Sequence, residues 1–200
     1  MVIKRFVSGN LESNGYIISQ KGGQNCYIID PGYNPKKFIE YIKESELKPQ
    51  GILITHGHYD HTGAAEGISA EFDTPVYIHE LDAFEFDLPN LRTMKDGDTF
   101  DLDGETLEII STPGHTHGSV CIMSKKSRVC FTGDTLFDTD LGRTDFDGGS
   151  EKEMKASIIN IIDKWENDVT IYPGHDTGCT MKKVRIYNQE FNDILNERRN

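Results

Sequence analysis

No apolar run in the sequence approaches the roughly 18 residues that a membrane-spanning helix needs, so no membrane partner is expected. The four cysteines, Cys26, Cys121, Cys130 and Cys179, include no CxxC pair, which argues against a thiolate metal cluster or a dithiol redox motif. Positive charge is scarce as well: Lys plus Arg number 21 against 33 Asp plus Glu, a formal charge of −12. Such a surface repels a phosphate backbone, and the basic clusters Lys125-Lys126 with Arg128 and Lys182-Lys183 with Arg185 are too short to offset it. Nucleic acid is therefore not an expected partner. The N-terminal stretch Met1–Val7 lacks both the apolar segment and the small-residue cleavage site of a secretory signal and reads as a strand, so a cytoplasmic protein is expected. Low-complexity tracts are missing too. The remaining composition, 36% hydrophobic and 27% charged over 200 residues, suits one globular domain with a substantial core.

What the sequence does contain is histidine concentrated in glycine-flanked loops. Thr55-His56-Gly57-His58-Tyr59-Asp60-His61-Thr62-Gly63 directly follows the apolar run Ile52-Leu53-Ile54. On a helix His56 and His58 would lie about 200° apart, whereas in extended chain residues two apart point the same way. The spacing therefore favours a strand end or loop with both imidazoles converging, and the glycines supply the permissive backbone. Four ligand-type side chains in one short loop are too many for one ion. Two adjacent metals are the natural inference.

The rest of the chain reads as a frame for that loop. Residues 2–7, Gly15–Ser19 and Asn25–Asp30 are expected strands separated by turns. Asn34-Pro35 reads as a cap and first-turn proline of a helix that Pro49 ends. Ile52–Ile54 is a buried strand, Gly63–Phe72 a helix, Pro75–His79 a strand and Leu81–Asp87 a brief helix. Residues 93–123 alternate strands with the turns Asp96-Gly97 and Asp103-Gly104. Val129-Cys130-Phe131 leads straight into Asp134, and a Gly-rich loop, Asp138–Gly149, follows. Ser150 with Glu153 forms a capping box for the next helix, Val169–Tyr172 is a last strand, and residues 180–198 read as a closing helix. Strand-rich stretches with helices between them predict two packed sheets with helices outside, an α+β arrangement.

Seven candidate metal ligands result: His56, His58, Asp60, His61, His115, Asp134 and His175. Imidazole and carboxylate suit two divalent ions, zinc foremost, with iron or manganese also compatible. The motifs THGHYDH at Thr55–His61, TPGHTHGS at Thr112–Ser119, GDTLF at Gly133–Phe137, GRTDF at Gly142–Phe146 and YPGHD at Tyr172–Asp176 resemble the metallo-β-lactamase superfamily, and within it small glyoxalase II-like thioester hydrolases. The resemblance implies a four-layer αββα sandwich. It also implies that His56, His58 and His115 hold one metal and Asp60, His61 and His175 the other, with Asp134 bridging. Two divalent ions about 3.5–4 Å apart can polarise a carbonyl and lower the pKa of a shared water towards neutrality. A thiolate, with thiol pKa near 8.5, then leaves without a strong general acid.

Asp60 has the best claim to a catalytic role beyond ligation, and Arg143 is the candidate contact for a substrate carboxylate. The expected partner is a small-molecule acyl thioester, such as S-2-hydroxyacylglutathione. His79 is expected to be structural, His117 to be exposed or to support His115, and Asp176 to be an exposed loop carboxylate, with support of its neighbour His175 as the alternative. Full-length glyoxalase II carries an additional C-terminal helical region; the roughly 25 residues after His175 suffice for one helix, so no separate substrate domain is expected. Alternatives within the same fold are a mononuclear-iron persulfide dioxygenase and a metal-binding module without turnover.

Overall fold

Two six-stranded sheets meet face to face, as a computed structural model describing residues 1–198 shows. The first sheet runs β1 (Val2–Ser8), β2 (Ser13–Ser19), β3 (Asn25–Ile29), β4 (Lys48–Leu53), β5 (Val76–His79) and β6 (Leu91–Met94), neighbours in that order. Its first two pairings are antiparallel and its last three parallel. The second sheet holds β7 (Thr99–Leu102), β8 (Glu105–Ser111), β9 (Val120–Ser124), β10 (Val129–Gly133), β11 (Thr170–Pro173) and β12 (Cys179–Thr180), antiparallel except between β10 and β11. Helices α1 (Pro35–Glu44), α2 (Tyr59–Thr62) and α3 (Ala65–Phe72) fall within the first half, and α4 (Glu151–Asn160), α5 (Met181–Tyr187) and α6 (Gln189–Glu197) within the second.

The two-residue period of a strand makes the layers. Tyr16, Ile18, Tyr27 and Ile29 point inward to meet Leu107, Ile109, Val120, Ile122 and Phe131 from the second sheet. Their alternates, Ile17, Ile28, Ile52 and Ile54, face outward and bury Phe38 and Ile42 of α1 and Ile68 of α3. On the opposite side Cys121, Met123, Cys130 and Ile171 pack against Met154 and Ile158 of α4, Val184 of α5 and Phe191 of α6. The result is the αββα sandwich, and its central strands are apolar on both faces because both faces are covered. Each fully buried aliphatic or aromatic side chain contributes about 1.5–3 kcal/mol. No helix among the described residues is long and apolar enough to cross a membrane.

Several boundaries depart from the sequence expectation for identifiable reasons. Asn34 precedes α1 with φ 57° and makes no side-chain capping bond. Pro49, expected to end that helix, lies inside β4 at an irregularity where the partners of Cys26 and Tyr27 jump from Pro49 to Gly51. A proline is tolerated there because no ladder bond needs its missing N–H. The helix expected over Gly63–Phe72 starts at Ala65, because Gly63 closes the short helix Tyr59–Thr62 by donating its N–H to the Tyr59 carbonyl and Ala64 N–H is taken by the Pro31 carbonyl. Leu81–Asp87 contains only a 3-10 turn, Ala83–Glu85. The closing helix breaks at Asn188, which is fully buried. Its Nδ2 donates to the carbonyls of Phe137 and Asp140, and its Oδ1 caps α6 by accepting from Phe191 N–H at 2.9 Å.

Candidate metal centre

β4 delivers the histidine loop, and Asp30, at the end of β3, fixes where it starts. The buried Asp30 carboxylate accepts from the Thr55 N–H at 2.7 Å and from the Thr55 hydroxyl at 2.6 Å. Because that hydroxyl has given its only proton to Asp30, Thr55 Oγ1 accepts from His56 Nδ1 at 3.1 Å. His56 Nε2 is left bare. Two more imidazoles are oriented the same way: His115 Nδ1 donates to the Arg143 carbonyl at 2.7 Å, and His175 Nδ1 donates to the Leu11 carbonyl at 3.0 Å. In each case Nε2 turns to the site, as an outer partner does for a ligating histidine.

Strand ends from both sheets bring the seven side chains together. His56, His58 and His115 form one trio and Asp60, His61 and His175 another, with one ligand atom from each residue lying within 4.8 Å of the other two. In the first trio His58 Nδ1 is 2.9 Å from His115 Nε2. In the second, His61 Nε2 is 3.3 Å from His175 Nε2, and Asp60 Oδ2 is 3.3 Å and 3.2 Å from those two nitrogens. Asp134 stands between the trios: Oδ2 is 3.7 Å from His115 Nε2 and 3.4 Å from His175 Nε2, and Oδ1 is 3.5 Å from His61 Nε2. A third grouping, Asp30, His56 and His61, lies buried beneath them, with its carboxylate already accepting from Thr55. Gly174 is required by this crowding, because a Cβ there would collide with Asp134 Oδ1 and the His61 ring.

The trios differ in electrostatics. Burial, reinforced by the surrounding imidazoles, holds His56 well below the usual histidine range, and burial with His115 also lowers His58. Burial likewise disfavours charge on His61, but Asp134, Asp30 and Asp60 outweigh it and raise that imidazole well above its ordinary value. His175 is pushed up to about 9, because Asp134 and Asp60 overcome its own desolvation. The carboxyls respond in the complementary sense. Burial pushes Asp60 up, yet its bonds to His175 and His61 hold it well below the carboxylate range, and Asp134 is lowered by His61 and His175 against its own desolvation.

The donor set fits divalent cations. His56 Nε2 and Asp134 Oδ1 are buried without a hydrogen-bond partner. Leaving such an atom unsatisfied costs about 1–3 kcal/mol, a cost that a bound cation removes. Nitrogen and oxygen donors without sulfur suit zinc, iron or manganese.

The other residues singled out in the sequence lie as follows. Arg143 contributes its carbonyl to His115, while its guanidinium pairs with both Asp145 oxygens at 2.7 Å and lies 3.8 Å from the Phe146 ring centroid. Arg143 is also among the residues lining a separate cleft with Glu151, Glu190 and Asp193. His79 is buried and accepts from Leu81 N–H at 3.2 Å. His117 stands 3.2 Å from Glu153, away from both trios. Asp176 offers its carbonyl to Asn14 and Arg5.

Two supporting residues escape the sequence reading. Asp30 had a visible signal, a carboxylate at the end of a buried strand followed by Pro31-Gly32. Asp82 had none. It is buried and clamps the loops of the first trio: Oδ2 accepts from Gly57 N–H at 2.9 Å and Thr116 Oγ1 at 2.7 Å, and Oδ1 accepts from Gly118 N–H at 2.8 Å.

The chain is similar to known proteins in sequence and fold. Residues 8–175 match the metallo-beta-lactamase superfamily. An uncharacterized protein of Mycobacterium leprae, ML0493, is 32% identical over 94% of this chain and 97% of its own. Hydroxyacylglutathione hydrolase GloC of Haemophilus influenzae is 33% identical over 84% of this chain and 88% of its own. Among solved structures, the BLEG-1 B3 metallo-beta-lactamase superposes with a TM-score of 0.85 at 28% identity, covering 95% of this chain and 99% of that one. TTHA1623, solved in a di-iron-bound form, gives 0.81 at 28% identity and covers 94% and 99%.

Proposed function

The chain belongs to the metallo-beta-lactamase superfamily, and from that premise we propose that it is a dinuclear metal-dependent hydrolase of acyl thioesters. The observation that carries the reading is Asp134, a single carboxylate within 3.7 Å of imidazoles from both trios. Seven donors split around one shared carboxylate match two cations rather than one. Bound there, divalent cations would supply Lewis acidity to a carbonyl and a water nucleophile at neutral pH, with zinc the first choice for lack of redox chemistry and iron supported by the di-iron form of TTHA1623.

The chain's own residues set the conditions for that chemistry. His56, His58 and His115 would hold one cation and Asp60, His61 and His175 the other. Asp60 stays ionised at neutral pH and points Oδ2 at the second trio, so it can accept a hydrogen bond from an attacking water and orient it. Thr55, the Arg143 carbonyl and the Leu11 carbonyl fix the imidazole tautomers, so no reorganisation is needed during turnover. His117, the imidazole outside the trios that lines the open side of the site, is engaged with Glu153 at 3.2 Å. Without a protein acid placed for the leaving group, a group that departs as its anion is favoured. A thiolate meets that condition and an amine does not. The name of GloC, a hydroxyacylglutathione hydrolase, supports the same class.

Purified protein is expected to hold about two metals per chain and to hydrolyse S-lactoylglutathione or another acyl thioester. A single iron with oxygen consumption on glutathione persulfide would replace the hydrolase reading by dioxygenase, and bound metal without turnover on either substrate would leave a binding module.

A further inference from the structure

An open groove of about 620 Å³ runs beside the two trios, with Gly57, His58 and Asp60 along one side. That volume is ordinary for a small-molecule site. Its walls carry Leu11, Tyr59, Leu81, Phe84 and Phe146, respectively 62%, 68%, 53%, 81% and 46% exposed. These five are the majority of the nine large hydrophobic residues that stand exposed among the described residues. They come from separate stretches of chain, so the fold gathers them. A concentration of exposed apolar surface at one place marks a binding site.

The charge along the groove narrows what can bind. No Lys or Arg lines it, and its charged members are the carboxylates Asp60, Asp82 and Asp147. Asp82 is satisfied by three donors. The Arg143 guanidinium is bound to Asp145 and lies over Phe146, whose ring in turn meets His58 at 5.7 Å between centroids. Glutathione brings two carboxylates, for which this lining has no cationic partner. The common biological thiol carriers are rich in amides, carboxylates or phosphates, so the one apolar half of such a thioester is its acyl chain.

Building on the thioester hydrolase reading, we propose that the groove holds an apolar acyl chain, and that the substrates are medium-chain acyl thioesters rather than hydroxyacyl conjugates of glutathione. The chain lies along Leu81 and Phe84 with its carbonyl end at His58 and Asp60.

The test uses the metal-loaded full chain and N-acetylcysteamine thioesters from acetyl to octanoyl, with S-lactoylglutathione alongside. kcat/KM is expected to rise about two- to fourfold per methylene through the middle of the series. Octanoyl ester should exceed S-lactoylglutathione. Calorimetry with the non-hydrolysable S-octyl-N-acetylcysteamine reads the groove without turnover. Binding is expected, with a negative heat-capacity change, and Phe84→Asp or Leu81→Asp should weaken it about tenfold. Both side chains are exposed, so neither substitution threatens the core. A flat chain-length profile with no thioether binding overturns the groove proposal even if S-lactoylglutathione is hydrolysed, and leaves the thioesterase reading standing. Thioether binding sensitive to both substitutions, but no thioester turned over with two metals bound, overturns the hydrolase reading instead.

Discussion

His56 and His58, in an imidazole-only trio with His115, are held by burial below the usual histidine range, whereas His61 and His175 face the carboxylates of Asp60 and Asp134, which draw protons in. The two halves are built from similar loops and separated by one side chain, yet they present different ground states to a metal. A cation entering the first trio meets the unprotonated nitrogens of His56 and His58. One entering the second must displace the protons of His61 and His175, but gains two negative charges. Neutral donors thus give ready access, and charged donors give strength that depends on pH.

Removing the shared residue should erase the distinction. Asp134→Ala is expected to lower thioester turnover on the order of 10³-fold and to deplete metal from both trios, as read by steady-state kinetics and elemental analysis. A variant that kept one full equivalent would show that the trios are independent.

The next effect separates them by pH. His175 in the metal-free protein is raised to about 9, above the ordinary histidine value of about 6.5. It therefore carries its proton throughout the neutral range and loses it only as pH approaches 9. Affinity for the second metal should fall at least tenfold per unit from pH 9 to pH 7, because His61 as well as His175 must give up its proton, and this slope should be steeper than that for the first metal. Competition titrations in zinc buffers, with proton release measured in buffers of different ionisation enthalpy, check both slopes. Equal slopes would collapse the comparison.

Asp82→Ala addresses the first trio alone, because its three bonds hold Gly57, Thr116 and Gly118. Metal affinity there should drop about 10- to 100-fold with the second site little changed. The smallest effect belongs to the second trio. The buried Tyr16 hydroxyl donates to the Pro173 carbonyl at 2.6 Å, two residues before His175. Tyr16→Phe should cost about 1 kcal/mol, a Tm decrease of about 2–4 °C in the metal-free protein, with the first trio unaffected.

Much of this comparison was legible in the sequence, and the limits have a physical origin. The convergence of His56, His58, Asp60 and His61 follows from local spacing after a buried strand, and the layering follows from strand periodicity and helix signals. Features that depend on partners distant in the chain could not be read. Asn188 breaks the closing helix because the carbonyls it grips belong to Phe137 and Asp140. Pro49 extends a strand rather than ending a helix because its irregular register is set by Cys26 and Tyr27. Asp82 lies in a segment without a motif, and the direction of the Arg143 guanidinium is decided by Asp145 and Phe146 within a loop that no periodicity governs.

The site straddles the seam of the sandwich. His56, His58, Asp60 and His61 follow strand β4 of one sheet, whereas His115, Asp134 and His175 follow β8, β10 and β11 of the other. An ion held by His58 and His115, or by His61 and His175, is thus a rivet between two layers that must part when the protein unfolds. With metal bound, sheet separation would require its release. The working lifetime of the folded chain would then depend on free metal concentration as well as on its hydrophobic core.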